Sequence, residues 1–411
     1  MNFTSLPGLP LLRNFYIDNF KSLVDFSLPE DLGQLTCLIG LNGSGKSTLL
    51  QAFDFLGHLA IGRIDEWLRR REWQNSDLTS RFLKKQVIHF RLGFEFPQSG
   101  TVEWTGDFNV TQLRCTRETI RVGDKKDKVV LGLLRNESFA TNARGESVEI
   151  PFSSLTFHGS VLSLLNTKGT HPAICDLKEF ASHLRSLDML SPHLMHKRAK
   201  DADDVGYGGE RLSAYLHGLP KEEKVRLLTT LQGFYGQVQD WHTTTLQAGW
   251  KDLRLREAYP DAYGSSLVTM AHQLNDGMLR VLAILAQTGS GQPLSTSGKG
   301  QHYRCSLFDE IENGINPAIV EKLISHLLAA PQQIIITTHS PMILNYLPDE
   351  VACRAVVLCY RTREGKIRTR RFFELDEPKR KLQLLGPGEV FVDTDLAEAA
   401  AEAERQQGLQ P

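Results

Sequence analysis

The chain has 411 residues, 41% of them hydrophobic, and a formal net charge of −1 at pH 7. That length exceeds one ordinary domain and can bury one or two large cores, while the near-zero charge excludes a molecule drawn as a whole to phosphate backbones. There is no apolar run long enough to span a bilayer, no basic and apolar secretion leader, and no CxxC pair among the six cysteines. A membrane span, a disulfide framework and a zinc site are therefore not expected, and a reducing cytoplasm is the expected compartment.

In chain order, the first strong element is an apolar strand through Leu35, Cys37, Leu38 and Ile39, followed by GLNGSGKST at 40–48 and an amphipathic run with Leu49, Leu50, Phe53 and Leu56. From Gln86 to Val130, short alternating runs such as VIHFRLGFEF and TVEWTGDFNV predict antiparallel strands packed on the nucleotide lobe. From Asp176 to Glu257 the spacing turns helical, through Leu177, Phe180, Leu184 and Leu187 and then Val225, Leu228, Leu231, Phe234 and Val238. Pro192, the Gly206–Gly209 cluster and Pro220 interrupt it too often for a long coiled coil. A Gly/Ser/Thr-rich loop at 288–300 precedes the short apolar strand CSLF and the acids Asp309 and Glu310. A further strand, QIIITT at 333–338, ends in His339-Ser340-Pro341, and from Leu396 the chain closes in an Ala/Glu-rich tail.

The pattern from Gly40 to Ser47 is GxxxxGK[ST] in a strand–turn–helix setting. Glycines let backbone N–H groups turn inward, and the helix N-terminus adds positive potential at the same spot. Gly40, Asn42, Gly43, Ser44, Gly45, Lys46, Ser47 and Thr48 are thus expected to cradle a nucleoside triphosphate, ATP, with Lys46 reaching the β/γ-phosphates and Ser47 holding Mg2+. The strand ending in two acids has the form of a Walker B strand. Asp309 is placed for the Mg2+ shell and Glu310 to polarise an attacking water. His339, at the C-terminal edge of the sheet where α/β folds bind ligands, reads as a γ-phosphate switch.

Six ordered blocks resemble the RecF-like and SMC-like branch of the ABC ATPases, in particular the compact AAA family ATPases of DNA repair and anti-phage defence. They are NFKS at 19–22, GLNGSGKST at 40–48, HQLNDGMLRVLAILA at 272–286, LFDEIENGINP at 307–317, ITTHSP at 336–341 and LGPGEVFVDTDL at 385–396. The resemblance implies an α/β fold: an ABC-type P-loop NTPase head with an antiparallel β subdomain and a short helical insertion. Expected boundaries are lobe I at 1–165, the helical insertion at 166–265, lobe II at 266–396 and a tail at 397–411.

The block at 272–286 then corresponds to the ABC signature, with Asn275 where serine is usual. Asn275 and Gly277 would complete the ATP site of a second subunit, making a homodimer or higher oligomer the expected state. An ordinary helix behind a polar cap is the alternative. Asn316 falls where transporters carry the D-loop aspartate, although turn chemistry also accounts for Asn313-Gly314 and its neighbours. His158 is the Q-loop candidate.

The basic segment Arg361, Arg363, Lys366, Arg368, Arg370 and Arg371 could track DNA phosphates or simply protect an edge strand. Smaller clusters lie at Arg69–Arg71, Lys84–Lys85, Lys125–Lys128 and Lys197–Lys200. Asp393-Thr-Asp395 resembles half of a TOPRIM nuclease site, but no glutamate strand precedes it, so a turn is expected. The resemblance implies a DNA-associated switch working with a separately encoded effector protein. A slow-turnover scaffold that sequesters a toxin or nuclease, or a RecF-like repair clamp, are the alternatives.

Overall fold

The computed structural model describes residues 8–123, 128–134, 137–150, 157–187, 191–288 and 305–408. The expected loop at 288–300 and most of the Lys125–Lys128 cluster lie outside them. Two compact units divide the chain: Met1–Arg185, Tyr303–Cys305 and Gln333–Pro411 form the first, Ser186–His302 and Ser306–Gln332 the second. The strands, in chain order, are β1 (Leu11–Asp18), β2 (Phe26–Ser27), β3 (Leu35–Ile39), β4 (Val87–Phe96), β5 (Gly100–Asn109), β6 (Arg114–Val122), β7 (Lys128–Leu134), β8 (Glu137–Thr141) and β9 (Ser147–Glu149). They continue as β10 (Leu184–Leu187), β11 (Val238–Thr245), β12 (Lys251–Pro260), β13 (Ser266–Met270), β14 (Cys305–Phe308), β15 (Gln333–Thr337), β16 (Val356–Arg361) and β17 (Ile367–Arg371).

The first unit holds an antiparallel sheet in the order β2-β1-β4-β5-β6-β7-β8-β9. In β4 the alternation is strict, with Ile88, Phe90, Leu92, Phe94 and Phe96 buried, as a sheet with one face on a core requires. A second sheet carries β15, β3, β16 and β17 as consecutive neighbours, β3 pairing parallel with both β15 and β16. Every residue of β3 and β15 is buried, the signature of a parallel strand covered on both faces.

The helix Lys46–Ala60 is apolar on most sides and buried along nearly its whole length. Phe55 meets Phe20, Trp67 and Phe108, and Phe53 meets Phe15 at 4.3 Å between centroids. Two buried polar side chains tie β1 to its surroundings. Asn19 donates to the carbonyls of Lys85 and Val87 and accepts from Ser80 N–H. Gln333 exchanges two 2.9 Å hydrogen bonds with the backbone of Leu12 and donates another to Gly33 O.

The expected helical insertion at 166–265 is helical only in part. Helices do occur at Pro172–Ser182, Leu212–Gly218 and Lys221–Phe234, but from Val238 onward β11, β12 and β13 form an antiparallel sheet. Val238 opens a strand instead of closing a helix. The buried edge of Lys221–Phe234 is Glu223, Leu227 and Leu231, whereas Val225 is 56% exposed. The strand signal lay in LRLR at 253–256, where Leu253 and Leu255 are buried between outward arginines. Among the described residues no helix is long and apolar enough to cross a membrane.

Candidate nucleotide-binding site

The loop between β3 and the helix Lys46–Ala60 turns on three glycines with left-handed backbones, Gly40, Gly43 and Gly45, at φ of 145°, 77° and 96°. An L-residue adopts such angles only at a cost, which is why this turn needs glycine. Space enforces the same choice: a Cβ on Gly40 would stand 2.2 Å from Cys359 O, and one on Gly45 2.1 Å from the Ile367 side chain. The β16–β17 hairpin therefore forms the backing of the loop. Leu41, Asn42 and Gly43 are exposed at its crest, and Ser47 and Thr48 open the helix. Lys46 is buried and donates to the loop's own carbonyls, Gly40 O at 2.9 Å and Leu41 O at 3.3 Å. Thr48 Oγ1 lies 3.5 Å from Ser22 Oγ of the NFKS block.

A triphosphate suits this cradle. The inward amides, the helix N-terminus and the Lys46 ammonium all favour an anion, and the buried Ser44 Oγ has no hydrogen-bond partner among the described residues. His339 belongs to the same end of the sheet. β15 runs parallel to β3 with Thr337 opposite Leu38, so both chains leave the sheet at one edge, Gly40 from one and His339 from the other. His339 is exposed there, and Thr338 fixes the turn by donating its N–H to Leu38 O and accepting Ser340 N–H on Oγ1.

In the second unit, Asn275 precedes the helix Asp276–Thr288 and accepts Met278 N–H on Oδ1 at 2.7 Å, leaving its Nδ2 as a donor. Gly277 lies close to the chain's own backbone: a Cβ there would lie 2.6 Å from Gly314 O, in the loop after the acids. Arg280 continues this contact against Gly314, with Asp276 and Glu310 near enough to act on its charge; burial nonetheless lowers its pKa. Asp309 is half-buried and Glu310 exposed, and Glu310 has a left-handed backbone at φ 45°. Asn316 caps the helix Pro317–Ala329 by accepting Ala318 N–H, which is the turn chemistry left open above.

Residues 11–130 match the family described as "AAA ATPase domain" and residues 181–345 the family described as "AAA domain, putative AbiEii toxin, Type IV TA system". The solved SMC head bound to the C-winged helix domain of ScpA matches with a TM-score of 0.51, covering 87% of this chain and 97% of that one at 12% identity. The chain thus has the fold of an SMC head, an ABC-type P-loop NTPase fold. Curated proteins with similar stretches include the OLD nuclease of Thermus scotoductus, 33% identical over 106 residues, and the energy-coupling factor transporter ATP-binding protein EcfA2 of Lactiplantibacillus plantarum, 34% identical over 110 residues. Each match covers 26% of this chain, and it spans only 18% and 32% of those two proteins.

Other sequence candidates on the head have local partners. His158 pairs with Asp65, and the adjacent Ser160 and Val161 bond to the buried Glu118 carboxylate, which also accepts from Trp104 Nε1. Burial raises the Glu118 pKa, against the pull of these donors. The sequence offered no sign of this bracket, because Val161 lies 43 positions from Glu118 and Trp104 a further 14 on the other side.

The basic segment is indeed a hairpin, turned at Gly365 with φ 81°. Most of its cations are engaged: Arg361 with Gly43 O, Lys366 with Glu364, Arg368 with Val24 O and Asp25, Arg370 with Glu374, and Arg371 with the Glu30 and Asp31 carbonyls. In the smaller clusters, Arg70 pairs with Glu66, Arg71 with Asp54 and Lys85 with Asp18. Asp393 pairs with Lys381, while Asp395 caps the helix Leu396–Gly408. The Asp-Thr-Asp segment is thus a junction between two helices, and the expected tail is helical.

Proposed function

We propose that the chain binds and hydrolyses ATP as a Mg2+-dependent ABC-type ATPase, two copies closing around two nucleotides. The observation that carries this reading is the Gly40–Thr48 cradle, with His339 leaving the neighbouring parallel strand at the same edge. Lys46 moves from the Gly40 and Leu41 carbonyls to the phosphates, the loop amides orient them, and His339 contacts the γ-phosphate. Ser47 and Asp309 are the residues that would hold Mg2+, which would supply charge neutralisation, and Glu310 would take the proton of the attacking water. Asn275, through its remaining Nδ2 donors, and the Gly277 backbone face the nucleotide of the other subunit.

We further read the cycle as a switch answering to DNA and acting on a separately encoded effector. The relative named as a nuclease and the family described by a toxin–antitoxin system support that reading. Turnover of the purified chain with and without duplex or single-stranded DNA tests it, beside Glu310→Gln. The variant is expected to hydrolyse roughly 10²–10⁴-fold more slowly with ATP binding intact. Loss of ATP binding in the variant would refute the role given to Glu310. Wild-type turnover indifferent to both DNAs would refute the DNA switch and leave a scaffold that holds a toxin or nuclease.

A further inference from the structure

The second unit carries a cleft of about 460 Å³, lined among others by Lys197, Lys200, Asp201, Glu210, Arg211 and Trp250. Its walls are built. Lys251 N–H donates to Ala199 O at 2.8 Å, fastening the 197–201 loop to the start of β12. Arg198 is held by the buried Asp252 at 2.9 Å, Arg211 by Asp204, and the Glu210 carboxylate by Gly208 N–H.

Three features remain without an internal explanation. Among the described residues neither Lys197 nor Lys200 has a carboxylate within ion-pair distance. The buried Nε of Arg211 has no hydrogen-bond partner. Trp250 is 41% exposed, whereas Trp67, Trp104 and Trp241 are 6% exposed or less. Lys200 Nζ stands over the Trp250 ring, 5.2 Å from its centroid, so a cation lies on one face of an indole that still exposes surface to solvent.

We propose that this cleft binds single-stranded nucleic acid, one base stacking on Trp250 while the phosphates beside it meet Lys197 and Lys200. A nucleotide strand offers a flat ring flanked by anions, which is the complement of an indole flanked by ammonium groups. A volume of this size accommodates a ligand of about one nucleotide. Duplex DNA keeps its bases stacked on one another and leaves none for the indole. The proposal deepens the DNA reading above by naming the strand and the surface, and it requires no ATP turnover.

The test is fluorescence anisotropy of a labelled oligo(dT) with the full chain, without ATP, across a salt series. Trp250→Ala is expected to weaken binding about tenfold or more, since one stacked base contributes about 1–3 kcal/mol. Trp250→Phe should keep most of the affinity, and Lys200→Ala should flatten the log–log salt slope by about 0.7. Thermal melting of each variant checks folding, and DNA-free ATP turnover should stay unchanged. Wild-type affinity in the Trp250→Ala and Lys197→Ala/Lys200→Ala variants would overturn the cleft while leaving the DNA reading intact. AMP quenching Trp250 fluorescence while oligo(dT) does not bind would overturn the strand in favour of a free nucleotide. No binding of either probe would overturn the proposal, and the turnover assay above would then judge the ATPase separately.

Discussion

Gly40 in the first unit and Gly277 in the second each lie against a carbonyl from a distant segment, Cys359 O of β16 in one case and Gly314 O in the other. At Gly40 the backbone is also left-handed, so a side chain fails twice, by conformation and by contact. At Gly277 only the contact forbids it, because that residue sits in an ordinary helix. The helices that follow differ in the same sense. Lys46–Ala60 encloses a buried charge, Asp54, which accepts from Trp67 Nε1 and from Arg71 and has His58 beside it. Asp276–Thr288 buries an apolar face with Thr288 at its end. One loop rests on a helix with a buried charge cluster and the other on a helix anchored mainly by packing, so the two should respond differently to the same kinds of substitution.

The largest effect should come from Asp54→Asn. Removing one partner of a buried ion pair costs about 3–5 kcal/mol, to be read as a fall in chemical-denaturation stability at pH 7. Burial opposes ionisation of Asp54, but His58 and Arg71 prevail and hold its pKa well below the carboxylate range. Its contribution is therefore complete above the unfolded pKa of about 4 and is lost as pH falls toward the depressed folded value. The gap between wild type and variant should narrow in acid. An equal gap at pH 7 and in strong acid would show that the charge is not what anchors this helix.

Next, Gly40→Ala should abolish measurable ATP binding, since it adds strain of about 1–2 kcal/mol to an overpacking cost of about 1–3 kcal/mol. Gly277→Ala carries only the overpacking cost of about 1–3 kcal/mol and should leave ATP affinity of the isolated chain intact. If both variants bound ATP equally well, the contrast between the glycines would collapse. The smallest effect belongs to Arg361→Gln, which removes the 2.8 Å bond to Gly43 O. About 0.5–1.5 kcal/mol, or roughly a twofold to tenfold loss of ATP affinity, is expected by titration calorimetry.

How much of this could be read in the chain follows from the distance over which each feature is determined. The strand, glycine turn and helix at 35–60 are contiguous, and the alternation of β4 and β5 is local, so both were legible. The three-stranded sheet of the second unit was not, because a helical spacing through Leu228 and Leu231 continues in register to Val238, the first residue of a strand. What holds that strand includes the 2.8 Å contact of Thr243 with His217, 26 positions away. The Asp54 and Glu118 clusters and the Gln333 bracket are likewise made of ordinary residues brought together from far apart. Asn316 and Asp395 show the converse. Their positions suggested chemistry, and their side chains cap helices.

Glu310 occupies a left-handed backbone that glycine or asparagine would fill with less strain. Replacing it by glycine should raise the melting temperature while removing the proposed base. The fold by itself thus exerts a steady pressure against this acid. In a lineage where turnover no longer mattered, position 310 is where drift should strike early, leaving a chain that binds nucleotide, melts higher and has lost its clock.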